Sequence, residues 1–160
     1  MTRSTMILVA AASAAVLQSQ SNTPSPTSGQ PAAVRNLNDY YRAFSSLDVQ
    51  AILPYFHEPC MIIGPQGVFA ASNRSVVATA FAPAMNALKA RGFGRSELSI
   101  REIKTLSPTS ILATGVAVRY KVDGSVLERV GVTYVLQKTN LRWEIAVLIT
   151  HDANEGELGK

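Results

Sequence analysis

Two hydrophobic periodicities divide the chain. Up to about residue 92, apolar residues recur at spacings of three and four, which is typical of amphipathic helices. From residue 96 onward they alternate with polar residues at a spacing of two, which is typical of β-strands. Helices followed by strands predict an α+β domain, with the helices packed on one face of a curved, mostly antiparallel sheet.

The helical part predicts three helices. Asp48 suits the N-cap of the second helix, and Ser72 or Asn73 suits the N-cap of the third, which ends at Gly92. The residues expected to face inward are Leu37, Tyr40, Tyr41, Phe44 and Leu47 in the first helix, Val49, Ile52, Leu53 and Phe56 in the second, and Val77, Phe81, Met85 and Leu88 in the third.

The strand part predicts an antiparallel meander. Its four long strands are expected at 96–106, 111–122, 126–138 and 141–152, and a short hairpin at 60–63 with a return strand from Gly67 precedes the third helix. Asp123-Gly124 between two alternating runs is a strong signal for a tight hairpin turn. In the strand 126–138, Leu127 and Val135 are apolar on the face opposite the main apolar face, so we expect a second surface to cover the sheet.

The first 34 residues differ in composition from the rest. Their only charge is Arg3, and residues 6–17 are apolar except for one serine. This run is too short for a membrane span, which needs about 17–25 residues. It fits the apolar part of a secretory signal, with a disordered start as the alternative. Residues 18–31 contain only Gln, Ser, Asn, Thr, Pro and Gly, which predicts a flexible tether. The predicted units are a leader and tether at 1–34, a domain at 35–152 and a flexible tail at 153–160.

Composition excludes several kinds of site. The chain has 160 residues, a formal charge of +4 and one cysteine, so neither an intrachain disulfide nor a cysteine-rich zinc site can form. Nine basic residues between Arg91 and Arg142 occur singly, without a basic run or aromatic interleaving, which disfavours a nucleic-acid surface. His57 and Cys60 have a ligand-like spacing, but two ligands do not make a metal site. We therefore expect no metal, no cofactor and no nucleic-acid partner.

The order of the pieces resembles a known family. The run DYYRAFSSLDVQAILPYFHEPCMIIGPQGV, a helix after SNRS and four strands that end in LRWEIAVLITHD are similar to the nuclear transport factor 2-like superfamily, in its SnoaL-like branch. The resemblance covers about residues 35–152. It implies a cone-shaped fold in which helices and a curved sheet enclose a pocket, usually in a homodimer formed through the open sheet face. It implies no single activity, because the fold hosts several enzymes and also binding proteins.

One chemistry of this superfamily can be compared residue by residue. In steroid-isomerase-like members, a carboxylate abstracts a proton and a tyrosine stabilises the oxyanion. Alignment through Leu47-Asp48 places Tyr40 at the tyrosine position and Gly64 at the aspartate position, and the nearest upstream carboxylate is Glu58. Residues 112–118 supply no second acid. The resemblance therefore disfavours isomerase chemistry by this mechanism.

Two functions of different class remain. The first is a dimeric module that binds a small apolar ligand without catalysis, in a pocket lined by aromatic residues. The second is a cofactor-free isomerase, lyase or hydrolase in which His151 and Tyr40 transfer protons, because His151 shares the strand parity of Trp143 and is expected at the pocket rim. The pocket residues we expect are Tyr40, Tyr41, Phe44, Phe56, Trp143 and His151. If the leader is a signal peptide the protein is periplasmic or secreted; otherwise it is cytoplasmic.

Overall fold

The computed structural model describes residues 29–140 and 142–154. The helices are α1 (Gln30–Ser45), α2 (Val49–Ile52) and α3 (Arg74–Ala90), and a 3-10 turn at Leu53–Tyr55 follows α2. The strands are β1 (Phe56–Gly64), β2 (Gly67–Ala71), β3 (Phe93–Ser107), β4 (Ser110–Lys121), β5 (Val126–Lys138) and β6 (Trp143–His151). The predicted α+β fold is confirmed: three helices pack against a mostly antiparallel six-stranded sheet.

The sheet brings the two ends of the domain together. Its strand order is β2-β1-β6-β5-β4-β3, so the first hairpin pairs with the last strand of the predicted meander. The pairing of β1 with β6 is parallel, and the other four pairings are antiparallel. The sheet therefore has β2 and β3 as its edges and β5 and β6 near its centre.

Helix α1 packs on one face of the sheet, which we call the inner face. The residues of the first helix that were predicted to face inward, which we call the aromatic stripe, are all buried except Leu47, which lies just past the end of the helix. The helix starts at Gln30, earlier than the predicted domain start at residue 35. Pro31 is tolerated there because it lies in the first turn of the helix. Gln30 also contacts the sheet, since its Nε2 donates to Thr105 Oγ1 at 3.3 Å. Residues 1–28 of the predicted leader and tether, and residues 155–160 of the predicted tail, lie outside the described residues.

The predicted helix caps are confirmed. The Asp48 side chain accepts a hydrogen bond from the backbone N–H of Gln50, and the Asn73 side chain accepts one from the N–H of Val76. Helix α3 ends just before Gly92, which adopts a left-handed φ of 76° that suits a glycine after a helix. These local signals fix where α2 and α3 begin and where the chain enters β3.

Strand β6 contains a bulge that changes which residues face the helices. Val135 of β5 pairs with Val147, but the next residue, Leu136, pairs with Ile145, so Ala146 is an extra residue. A bulge of one residue reverses the side-chain alternation beyond it. Consequently Trp143 and Ile145 face inward before the bulge, whereas Leu148 and Thr150 face inward after it. The prediction that His151 shares a face with Trp143 is wrong for this reason.

The outer face of the sheet is rich in apolar side chains. The pairing registers place nine apolar residues on the side opposite α1: Met61, Ile63, Val68, Leu112, Val116, Val118, Val135, Val147 and Ile149. We call this set the outer apolar face. No described helix packs on it, since α1 and α3 lie on the inner side. Among the helices in the described part of the chain, none is long and apolar enough to cross a bilayer.

Candidate functional site

A cavity of about 190 Å³ lies between the inner face of the sheet, α1 and α3. The bulge in β6 contributes to it, because the bulge turns Leu148 and Thr150 inward. Most of the wall is aromatic or aliphatic. The lining residues are Tyr40, Tyr41 and Phe44 of α1, Ile62 of β1, Ala80, Phe81 and Ala84 of α3, Arg119 of β4, Val132 and Tyr134 of β5, and Leu148 and Thr150 of β6.

Three tyrosines contribute hydroxyl groups to the wall, beside the polar side chains of Arg119 and Thr150. The hydroxyls of Tyr41 and Tyr134 are 2.6 Å apart and hydrogen-bond to each other. Tyr40 packs its ring edge-on against Tyr41, with the centroids 5.2 Å apart. Neighbouring positions on α1 thus place two phenols beside the inward-facing phenol of β5.

These phenols stay protonated under ordinary conditions. Burial raises the pKa of Tyr41 to about 12, and the bond from Tyr134 and the charge of Arg119 only partly oppose this effect. Burial likewise raises the pKa of Tyr40 and of Tyr134 far above the usual value for a phenol. The tyrosines therefore act as neutral hydrogen-bonding groups and not as bases.

Arg119 supplies the only charge among the lining residues. Its Nη1 pairs with Glu128 Oε1, and its Cζ lies 5.5 Å from the centre of the Phe44 ring. Glu128 also accepts from Arg91 Nη1 at 2.6 Å. Burial alone would raise the pKa of Glu128, but the hydrogen bonds from Arg91 and Arg119 outweigh it and lower that pKa. Glu128 is therefore an anion that fixes the position of the Arg119 guanidinium.

The structure brings three of the six predicted pocket residues together. Tyr40, Tyr41 and Phe44 line the cavity. Phe56 is fully buried behind it, with its ring 5.6 Å from that of Tyr40. Trp143 is buried elsewhere under α1, where Asn36 Nδ2 donates to its carbonyl at 2.6 Å.

His151 lies on the opposite face of the sheet. Its Nδ1 is 2.8 Å from the carbonyl oxygen of Asp152, and its Nε2 is 3.2 Å from Thr133 Oγ1. Its ring covers Gly131, where a Cβ would overlap the imidazole. The predicted pairing of His151 with Tyr40 at one cavity is therefore wrong, since the bulge at Ala146 turns His151 outward.

The remaining sequence candidates lie away from the cavity. The thiol of Cys60 is buried, and burial together with the charge of Glu58 raises its pKa to about 11. His57 Nδ1 is 2.9 Å from the carbonyl of Pro59. Within residues 29–140 and 142–154, no group of three or more His, Cys, Asp or Glu side chains could hold a metal ion.

Sequence reasoning missed most of the cavity wall. Arg119 has a detectable signal, because it is the first charge in β4 after nine uncharged residues. Its position also matches the inward-facing alternation of Ala113 and Ala117. Tyr134 also has a signal, because it lies among the alternate positions of β5 that form its more apolar face. Leu148 and Thr150 have no such signal, because their orientation depends on the bulge. Gly64, at the position where the resemblance places an aspartate, sits beside Thr150: a Cβ there would be 2.8 Å from Thr150 Oγ1.

Comparison with known proteins supports the same fold. The chain is similar to a protein of unknown function with a cystatin-like fold from Nostoc punctiforme, with a TM-score of 0.64 and 16% identity over 78% of this chain and 76% of that chain. It is also similar to an NTF-2-like protein of unknown function from Shewanella oneidensis, with a TM-score of 0.64 and 19% identity over 77% and 98% of the two chains.

A third similar structure carries an enzyme-like name. It is a ketosteroid isomerase-like protein from Erwinia carotovora, with a TM-score of 0.54 and 16% identity over 75% of this chain and 92% of that chain. At such identities the likeness shows the fold alone. No curated protein matches the chain.

A match to a family model shows to which protein family the chain belongs. The model described as "NTF2-like protein (DUF6841)" matches residues 32–153, which is most of the chain and nearly all of its described part. The predicted superfamily is thereby confirmed, while the SnoaL-like branch stays a prediction. The chain belongs to the NTF2-like protein family DUF6841.

Proposed function

We propose that this protein binds a small molecule with an apolar body in the cavity between α1, α3 and the sheet, without transforming it. The observation that carries the proposal is the cavity wall itself. It combines Phe44, Phe81 and aliphatic side chains with a few convergent polar groups, which is the usual composition of a small-molecule site.

The composition of the wall also favours binding over catalysis. General acid–base catalysis needs a group that gains and loses a proton near the working pH. The lining residues include no histidine, aspartate or glutamate, and burial keeps the lining tyrosines protonated. His151, the base of the alternative enzyme hypothesis, faces away from the cavity.

Ligand binding can be tested with a blocked cavity. Trans-cinnamate and trans-cinnamamide are suitable probes, and isothermal titration calorimetry measures their affinity for the full chain. Ala84→Trp places a large side chain at the cavity, whereas Ala87→Trp places the same side chain on an exposed part of α3 outside it. We expect at least one probe to bind the wild type, and Ala84→Trp to weaken it at least tenfold while Ala87→Trp does not. Equal affinity for both variants, or no binding at all, would contradict the proposal.

We further propose that the protein forms a homodimer through the outer apolar face. Val68 is 66% exposed in the single chain, and Met61 is 38% exposed. Exposed apolar patches of this kind commonly mark interfaces between subunits. Glu97, Lys104 and Arg129 project from β3 and β5 on the same side, which would provide the polar rim.

Light scattering at micromolar concentration tests the dimer. Val147→Glu places a charge within the outer apolar face, and Val122→Glu makes the same change at a hairpin residue that is 83% exposed. We expect the mass of two chains for the wild type and Val122→Glu, and of one chain for Val147→Glu. A monomeric wild type would refute the dimer.

A further inference from the structure

We propose that the ligand of the cavity is a carboxylic acid in its anionic form, held by Arg119 while its apolar body lies against the aromatic wall. This inference rests on the proposed binding function and names the chemical class of the ligand. Its evidence is the balance of charge and of hydrogen-bond donors around the cavity.

The charge balance around Arg119 is positive. In the described part of the chain, Arg119 carries the only charge among the lining residues, and Glu128 is the one carboxylate that touches it. Glu128 also pairs with Arg91 on its other oxygen. Two guanidinium groups thus share a single carboxylate, and the trio keeps a net charge of +1. An anion in the cavity would neutralise that charge in surroundings poorly screened by water.

The Arg119 guanidinium also has unused donors. Arginine offers five N–H donors in a planar fork, and Glu128 engages Nη1. Nε is buried and has no hydrogen-bond partner among the described residues. The side chain as a whole remains 22% exposed, so part of it is reachable from the cavity. A carboxylate matches the fork geometry and would accept from the part of the guanidinium that lines the cavity.

The tyrosines add hydroxyl groups that can donate to an acceptor on the ligand. In the Tyr41–Tyr134 pair one phenol donates to the other, so one phenolic proton of the pair is left over. Tyr40 keeps its proton because burial raises its pKa, and no described residue hydrogen-bonds to its hydroxyl. The Thr150 hydroxyl donates to the carbonyl of Ile63. A ligand with acceptor oxygens can use the free phenolic protons, whereas a cationic ligand would meet Arg119 without any compensating carboxylate among the described lining residues.

Matched acid and amide probes test the inference on the full chain. Trans-cinnamate and trans-cinnamamide differ in charge but share the apolar body, and hexanoate with hexanamide repeats the comparison without a ring. We expect calorimetry at pH 7 to show the acid of each pair binding at least tenfold tighter than the amide. Arg119→Gln should remove that preference and leave the affinity for the amide within about threefold. Arg42→Gln, which changes an arginine side chain that is 78% exposed and outside the cavity, should keep it.

A second variant separates binding from folding. Arg119→Gln leaves Glu128 with Arg91 alone, so Arg119→Gln/Glu128→Gln is made beside it to remove both charges. If either variant folds, by circular dichroism, and still prefers the acid tenfold, the inference is overturned. It is also overturned if the wild type binds acid and amide equally, an outcome that leaves the proposed function intact. Failure of all four probes to bind would overturn both.

Discussion

The hydroxyls of Tyr41 and Tyr134 meet at 2.6 Å across 93 residues of sequence. This bond joins α1 to β5 at the wall of the cavity, and both rings are buried. It links the helical layer to the sheet by a polar contact within otherwise apolar packing. The cavity therefore has a wall fixed in place by a direct hydrogen bond, which is what a selective binding site needs.

The Tyr41–Tyr134 bond predicts a measurable coupling. Tyr134→Phe should destabilise the fold by about 1–3 kcal/mol, because it leaves the buried hydroxyl of Tyr41 without its partner. The double variant Tyr41→Phe/Tyr134→Phe should be less destabilised than the sum of the two single variants. Urea denaturation of the four proteins gives the coupling. Strict additivity would show that the two hydroxyls do not depend on each other.

The position of His151 predicts that replacing Gly131 lowers the stability of the fold. A Cβ at residue 131 would overlap the His151 ring and the carbonyl oxygen of Asp152, so Gly131→Ala should cost about 1–3 kcal/mol of unfolding free energy. Hydrogen exchange should show faster exchange at the end of β6. Gly131→Ala/His151→Ala should recover part of the loss. A neutral Gly131→Ala would mean that His151 does not cover Gly131, and would reopen the enzyme hypothesis.

Burial of Cys60 predicts that its thiol reacts slowly in the folded protein. Its side chain is 5% exposed and its pKa is about 11, so the thiolate is scarce at pH 8. We expect an aromatic disulfide reagent to modify the native protein at least about a hundredfold more slowly than the chain unfolded in guanidinium chloride. Similar rates in both conditions would show that the first strand is open to solvent.

The lowered pKa of Glu128 predicts a loss of stability in acid. The unfolded carboxyl titrates near about 4.3. Because the folded pKa is lower, its stabilising effect is fully present above that value and is lost as the pH falls through the folded pKa. Glu128→Gln should therefore be less stable than the wild type at pH 7, with the difference shrinking toward pH 3. Urea denaturation across this range provides the test, and a difference independent of pH would contradict it.

The helices and strands were predictable from local signals. Asp48 and Asn73 cap helices as their side chains suggest, and the Asp123-Gly124 turn joins β4 to β5, with Gly124 at a φ of 84°. Each of these signals lies within a few residues of the feature that it specifies. Local hydrogen bonds and backbone conformation therefore suffice to place the elements.

The cavity could be predicted only in part, because its wall depends on pairing between distant residues. Nothing in the run Val147-Leu148-Ile149 indicates a bulge, since all three residues are apolar and suit either face. The bulge appears only when β6 pairs with β5, and it decides that Thr150 faces the cavity and His151 does not. The aromatic stripe of α1 was predictable because its periodicity is internal to one helix.

The cavity between α1, α3 and the sheet is proposed to hold a small molecule. The most direct test of this binding is a crystal structure of the full chain soaked with trans-cinnamate. We predict electron density for the ligand inside the cavity, with its ring against Phe44 and its carboxylate at Arg119. A cavity that stays empty at saturating cinnamate, or that is filled by the protein's own Phe81, would contradict ligand binding at this site.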